Sequence, residues 1–285
     1  MMQVSIIIVN YNTFQLTSNC IKSIYAIMKG LDYEVILVDN ASKECDPENF
    51  AKAFPTVKLI KSSENVGFAK GNNLGIQQAT GKYILLLNSD CELVNNAPQI
   101  SYNYMEEHPE CGMSTVQLLY PDGKLQYNCR RFRTISWELL EVFPLYLLLP
   151  KKKREELMLH HYFDHQRQVN CDWVWGAYMF FPASLLKQLP GERLGEDFFM
   201  YCEDTLWGWQ FKQLGKEITF LPEGKVMHVH KGSSSNRLSH FKKMGIENHA
   251  ILMKKIYPDC RWYVFNAIYL TKQTLFKLLS QLLRK

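Results

Sequence analysis

The segment Tyr83-Ile84-Leu85-Leu86-Leu87 constrains this chain most: it is an apolar run, entered just after Gly81 and left through Asn88-Ser89-Asp90. An uninterrupted run of this length predicts a strand buried on both faces, the pattern of a central strand in a parallel sheet. Such a sheet needs helices on its faces, so the expected class is α/β. Ligands of open α/β sheets bind beyond the carboxyl ends of the strands, where Asp90 would hold a cation or a sugar. A polar turn closing the strand explains the same residues.

The flanking pattern supports that class. Strand patterns at Val4–Asn10, Tyr33–Asp39 and Val57–Lys61 alternate with helical patterns at Phe14–Met28, Asp46–Phe54 and Ala69–Ala79. A helix at Pro98–His108, favoured at its start by proline, precedes an apolar segment at Gly112–Leu119. This is a βαβ series with a parallel sheet. Beyond the turn Tyr120-Pro121-Asp122-Gly123 the pattern is less regular to about residue 172. Order is expected again at Trp173–Pro182, in a helix from Ala183, in a helix at Glu203–Leu214 and in a strand at Glu217–Leu221. No repeat or low-complexity linker divides the chain.

Composition excludes several classes. At 285 residues and 47% hydrophobic content the chain is globular. Its eight cysteines are scattered without a CxxC pair, which fits a reducing compartment and no zinc knuckle or disulfide framework. The amino terminus enters a strand directly, so no signal peptide is expected, and no apolar run reaches spanning length. The five basic residues from position 260 onward, without an acid among them, account for the whole net charge of +5. Nucleic-acid binding is therefore disfavoured, because the body is charge-balanced and has no basic stripe with stacking aromatics.

In the tail, Phe265, Ile268, Tyr269, Leu275, Phe276, Leu279, Leu282 and Leu283 recur at helical spacing opposite Lys272, Gln273, Lys277 and Gln281. That predicts a basic amphipathic helix for an anionic membrane surface or a partner, or else a helix docked on the body. The segment from Trp137 to Leu149, followed by Lys151-Lys152-Lys153-Arg154, reads as an interfacial element or as a loop over a substrate cleft.

Polar residues at three strand ends, Asn10-Tyr11-Asn12, Asp39-Asn40-Ala41-Ser42 and Asn88-Ser89-Asp90, converge on one edge of a parallel sheet. Glu64 to Asn73 supplies small residues and amides that could approach a nucleotide. The turn after the first strand has no glycine and no Walker sequence occurs, which disfavours dinucleotide redox and P-loop chemistry. Between Glu196 and Asp204 four acids surround an aromatic stretch, an arrangement that favours binding a cation or protons. Two histidines, His228 and His230, lie two apart on an extended segment and face opposite sides, so one at most serves a given site.

Taken together and in order, Val4 to Asn12, Val38 to Ser42, Asn65 to Asn73, Leu87 to Asp90, Trp175-Gly176-Ala177, Phe198 to Asp204 and His230-Lys231-Gly232 resemble a family 2 glycosyltransferase of the GT-A fold, most like bacterial rhamnosyltransferase-type members. The resemblance covers about residues 3–235. It implies a Rossmann-like, mostly parallel sheet flanked by helices, with a C-terminal helical extension. It further implies a domain over 1–235, with a nucleotide-sugar-binding half at 1–119 and an acceptor-binding, catalytic half at 120–235, and an amphipathic tail over 236–285. Nucleotide-sugar contacts would fall on Asn10, Asp39, Asn65, Gly67, Lys70, Asn72, Asn88 and Gly176. Asp90 would bind Mn or Mg together with His230, or His228 if the register differs by two. Asp204 would be the catalytic base, with Asp197 and Glu203 in the surrounding acid cluster.

The implied reaction is inverting transfer from a nucleoside-diphosphate donor, a dTDP- or UDP-sugar with rhamnose among the candidates, to a glycan or lipid-linked acceptor in bacterial surface polysaccharide synthesis. The implied location is cytoplasmic, with peripheral contact at the inner membrane through 261–285. Ser89 stands where the metal motif usually has proline, and Leu206 and Gln210 stand where the family commonly has an acid and an arginine. A non-catalytic binding protein of the same fold is the main alternative. A nucleotidyltransferase is a weaker one, because the chain lacks a glycine-rich basic loop near its first strand.

Overall fold

The computed structural model describes residues 2–229 and 238–282. The predicted alternation is present as β1 (Val4–Asn10), α1 (Phe14–Ile27), β2 (Tyr33–Asp39), α2 (Glu48–Ala53), β3 (Lys58–Lys61), α3 (Phe68–Ile76), β4 (Tyr83–Leu87), β5 (Cys91–Leu93) and α4 (Ala97–Glu107). Then come β6 (Cys111–Leu119), β7 (Leu125–Gln126), β8 (Cys129–Arg130), α5 (Ile135–Val142), α6 (Lys151–Met158), β9 (Val169–Cys171) and β10 (Trp173–Val174). The chain continues through β11 (Tyr178–Pro182), α7 (Glu203–Gln213), β12 (Glu217–His228), α8 (Leu238–Ile256) and α9 (Arg261–Leu282). The helix expected from Ala183 is a 3-10 helix, Ala183–Gln188.

The main sheet runs β3-β2-β1-β4-β11-β6-β12-β5, with β7 on β6 and β9 on β12. β1 is parallel to β2 and β4, β2 to β3, and β12 to β6, while β11 enters antiparallel between β4 and β6. The apolar runs are explained by this layering. Ile6, Ile8, Leu85 and Leu87 enter one core with Phe180, and Ile7, Ile84 and Leu86 enter the other with Phe181. Each strand therefore faces apolar neighbours on both sides.

Register is set from the amino ends of the strands. Ser5 lies opposite Glu34, whose buried carboxylate accepts from the Ser5 hydroxyl and from the Thr80 N–H and hydroxyl and pairs with Lys58 at 2.5 Å. Burial works to raise its pKa, but the Lys58, Ser5 and Thr80 donors bring it down to about 2. The same register, five residues later, puts Asn10 opposite Asp39 at the carboxyl ends.

Two glycines on the first helical crossover to β4 are needed for packing. A Cβ on Gly75 would lie 2.4 Å from Ile7 Cγ2, so α3 can rest on β1 only without it. Gly67 has φ +86°, and a Cβ there would meet the Phe199 carbonyl oxygen at 2.4 Å. That carbonyl accepts the Phe68 N–H at 3.0 Å, tying the start of α3 to the 198–202 loop.

β12 is longer than the predicted Glu217–Leu221. Its register with β6 shifts between Leu221 and Lys225, so Pro222-Glu223-Gly224 forms a bulge and the strand resumes to His228. Val226, Met227 and His228 then pair antiparallel with Leu93, Glu92 and Cys91.

The tail corrects one expectation. Lys272, assigned by spacing to a solvent-facing polar stripe, is 5% exposed. Its ammonium pairs with Glu138 and with Glu141, both on α5, which also bind Arg133. Helix propensity and spacing cannot reveal this, because the partner acids lie more than 130 positions away. Removing one member of a buried charge cluster leaves the others uncompensated. Lys272→Ala is therefore expected to lower unfolding free energy by about 3 kcal/mol and to open α9 to limited proteolysis, read by urea melts and trypsin digestion. The side chains of Phe276, Lys277, Leu279, Gln281 and Leu282, and all of Leu283, lie outside the described residues.

Candidate active site

The carboxyl ends of β1, β2 and β4 meet around a buried polar junction. Asn10 is 1% and Asp39 2% exposed. The Asn10 amide donates to Asp39 Oδ1 at 2.7 Å and to Ser42 Oγ at 2.9 Å, and its oxygen accepts from the Thr13 and Thr17 hydroxyls. Asp39 Oδ2 accepts the Ser42 N–H at 3.0 Å. Thr13 Oγ1 lies 3.2 Å from Ser89 Oγ. Ser89, at the usual proline position, thus links the end of β4 to the loop after β1. Ala41, inside the Asp39–Ser42 loop, holds φ +60°, a left-handed conformation that costs a non-glycine residue energy and tends to cluster at functional sites.

The second crossover loop docks on this junction. Asn40 Nδ2 donates to Asn65 Oδ1, Asn40 Oδ1 accepts the Val66 N–H, and Asn65 Oδ1 also takes the Gly67 N–H. Lys70 is exposed on the first turn of α3. Asn72, by contrast, is 1% exposed and its amide donates to Phe68 O within its own helix.

Asp90 sits at the edge of β5 and meets β12. His228 Nε2 is 3.3 Å from Asp90 Oδ1, and the Val229 N–H donates to Asp90 O at 3.0 Å. Gln126 Nε2 donates to His228 O at 2.7 Å, which leaves Gln126 Oε1 as the acceptor for His228 Nδ1, also at 2.7 Å. That assigns the proton to Nδ1 and turns Nε2 toward the carboxylate. The buried Asn88 Oδ1 has no hydrogen-bond partner among the described residues. An oxygen and an imidazole nitrogen facing each other, with an unpaired acceptor two residues from Asp90, fit a divalent cation and its hydration shell. Asp90, Cys91 and His228 place their ligand atoms within 4.8 Å of one another. Cys91 is the poor member: burial pushes its thiol pKa well up, and its Sγ contacts Ala177 O at 3.5 Å. His230 lies outside the described residues.

The acids at 196–204 do not form one cluster. Glu196 accepts from Asn73, and Asp197 is exposed and pairs with Lys255 on α8. Glu203 and Asp204 begin α7, entered through Tyr201 at φ +68° and Cys202 at φ +73°. Burial pushes both carboxyl pKa values up, Glu203 further because Asp204 is beside it. Asp204 is compensated by the Thr205 N–H at 2.7 Å and its hydroxyl, by the charge of Arg130 and by the Gly176 N–H. Glu203 Oε2 has no partner among the described residues. Of this adjacent pair, burial and the neighbouring acid favour the protonated form of Glu203, while the groups that favour a carboxylate gather on Asp204.

The segment Trp175-Gly176-Ala177 joins the two centres. Ala177 O accepts the Asn88 N–H at 3.1 Å, the Trp175 ring meets His228 edge to face at 6.5 Å, and Gly176 lies against Asp204. Sequence reasoning missed Gln126 and Arg130. Arg130 stands opposite Trp173 in a two-stranded ribbon, with its guanidinium 5.5 Å from the Trp173 ring and 5.3 Å from the Trp175 ring. No local pattern announced this cation-π contact, because the two indoles lie more than forty positions away in the chain. Gln210, at the family's arginine position, accepts the Gly195 N–H at 3.0 Å.

Glu203 has a stability consequence. Its native pKa is raised from the ordinary 4.5 to about 8, so between those pH values the fold holds a proton that the unfolded chain releases, and stability falls as pH rises through that window. Glu203→Gln is expected to match the wild type in thermal melts below pH 4.5, to exceed it at mildly alkaline pH, and so to flatten the pH profile.

The model of Glycosyl transferase family 2 matches residues 5–186. An N-acetylglucosaminyl-diphospho-decaprenol L-rhamnosyltransferase of Mycobacterium tuberculosis is 22% identical over 219 residues, 71% of this chain and 68% of that protein. The chain spans much less of the curated relatives it matches first, 14% and 18% of two of them. Among solved structures, S. aureus TarS 1-349 superposes with TM-score 0.51 and 17% identity over 81% of this chain and 61% of that one. GalNAc-T7 with UDP, GalNAc and Mn2+ superposes with TM-score 0.59 and 16% identity over 80% of this chain and 44% of that one. The expected GT-A fold is thereby met.

Proposed function

The chain belongs to glycosyl transferase family 2, and from that premise we propose that it is a metal-dependent, inverting glycosyltransferase taking its sugar from a nucleoside diphosphate. The observation that carries this is the 3.3 Å approach of His228 to Asp90 at the strand ends, with Trp175-Gly176-Ala177 linking that pair to Asp204. Asn10, Asp39, Asn65, Gly67, Lys70 and Asn88 frame the donor side. The buried Asn10 and Asp39 act by holding the Asn40–Ser42 loop that faces the base and ribose. Residues 1–119 accordingly bind the donor and 120–235 shape the acceptor site.

When bound, Mn or Mg supplies charge neutralisation for the donor diphosphate. Asp90 and His228 would hold it, and Gln126 fixes the imidazole by accepting from Nδ1. Asp204 accepts the proton of the acceptor hydroxyl while that oxygen forms a bond to the anomeric carbon from the face opposite the departing nucleoside diphosphate. The glycosidic bond forms as the sugar–phosphate bond breaks, and the configuration inverts. Glu203, protonated, places no second negative charge beside the base.

The mycobacterial relative is named for L-rhamnosyl transfer and for N-acetylglucosaminyl-diphospho-decaprenol, and the GalNAc-T7 structure holds UDP. That supports a dTDP- or UDP-sugar, rhamnose included, and a glycan or lipid-linked acceptor in bacterial surface polysaccharide synthesis. The eight unpaired cysteines support a reducing, cytoplasmic setting.

Asp204→Asn should reduce turnover by about 10²- to 10⁴-fold with nucleotide-dependent thermal stabilisation retained, measured as nucleoside diphosphate release beside a melt series. A binding protein of this fold would be stabilised by the donor yet release no diphosphate. Gln126→Leu should weaken Mn binding by about 10- to 100-fold, read by calorimetry. Unchanged affinity would remove His228 from the metal site and leave His230 as its candidate.

A further inference from the structure

The promontory between α5 and α6 has a composition that the catalytic site does not use. Phe143 is 61%, Leu145 45%, Leu147 62% and Leu148 81% exposed, the last three on one 3-10 helix, Leu145–Leu148. A contiguous group of large apolar side chains left in water marks an interaction surface. Lys151, Lys152 and Lys153 follow at once, all exposed on the first turn of α6. Glu155, the acid nearest them in sequence, is buried and turned onto Arg167, with only a 3.7 Å approach to Lys151. The base of the promontory is rigid. Glu138 and Glu141 of α5 are held by Arg133 and Lys272, and Met158 at the end of α6 is 1% exposed.

We propose that residues 143–153 form a docking surface for an anionic phospholipid bilayer. The leucines enter the boundary between headgroups and acyl chains, and the three lysines sit at the level of the lipid phosphates. The charge complementarity selects this occupant: an apolar tip next to three exposed lysines, of which Lys151 alone approaches an acid, suits a negatively charged interface better than a second copy of the same basic surface, which would repel it. The promontory supplies an attachment point apart from the predicted tail, where Lys272 of α9 is committed to the interior. Vesicle binding needs neither donor nor turnover, so this inference and the proposed catalysis fail separately.

The test is co-sedimentation of the full chain with vesicles of phosphatidylcholine alone and of phosphatidylcholine with phosphatidylglycerol, without nucleotide. The wild type and Asp204→Asn should both bind the phosphatidylglycerol vesicles, less tightly as salt rises. Leu147→Glu/Leu148→Glu should lose at least about tenfold in partitioning. Lys151→Glu/Lys152→Glu/Lys153→Glu should lose about fivefold or more per charge and the preference for anionic lipid. All these side chains are exposed, so the variants should melt with the wild type. The proposal is overturned if the wild type stays in the supernatant or if the leucine variant binds equally well. It is also overturned if light scattering shows that the leucine variant converts a dimer to monomers without altering vesicle binding, which would make the promontory a contact between copies.

Discussion

The side chain of Asn10 is the junction on which the site depends. One primary amide, buried at the end of β1, joins Asp39 and Ser42 on one side to Thr13 and Thr17 on the other. Thr13 passes the connection to Ser89, one residue before Asp90. Asparagine suits this place because it offers two donors and an acceptor without charge. An apolar residue there would leave the Asp39 carboxylate short of a donor in a site where desolvation is costly. The ends of three strands are thus held by side chains, beyond the point where the backbone ladder stops.

A second constraint decides which acid does what. Glu203 and Asp204 are neighbours in sequence, and both are pushed toward the protonated form by burial. The donors from Thr205 and Gly176 and the charge of Arg130 converge on Asp204. Two consecutive left-handed residues, Tyr201 and Cys202, aim the start of α7 at that convergence. Arg130, desolvated against two indoles, has its own pKa brought down to about 10 by burial, and so remains a cation at neutral pH where it can act on Asp204.

Much of this was readable from the residues. Apolar runs such as Tyr83–Leu87 marked strands buried on both faces, and polar residues at their ends marked the edge where Asn10, Asp39 and Asp90 meet. What escaped the reading depended on contacts distant in sequence. Gln126 orients His228 across 102 positions, Lys272 reaches Glu138 across 134, and Arg130 lies on a ribbon of two residues per strand that carries no periodic signal. Gly67, in the segment that looked suited to a close approach by nucleotide, also lets the Phe199 carbonyl approach, and Gly75 beyond that segment makes room for Ile7. The dense acids at 196–204 separated because Asp197 found Lys255 and Glu196 found Asn73.

By itself the sequence determined the α/β class, the order of the first strands and the edge of the sheet where polar strand ends converge, because apolar periodicity and polar strand ends are local properties of the chain. Only the tertiary structure decided the partner of Asp90. That choice rests on the Pro222–Gly224 bulge, which lets β12 run on to His228 and pair with β5, and no local pattern specifies the register of a strand against one that lies more than a hundred residues away. Tertiary packing likewise decided which carboxyl holds a proton and which lysine is buried, since both follow from desolvation and long-range donors that exist only once the chain has folded.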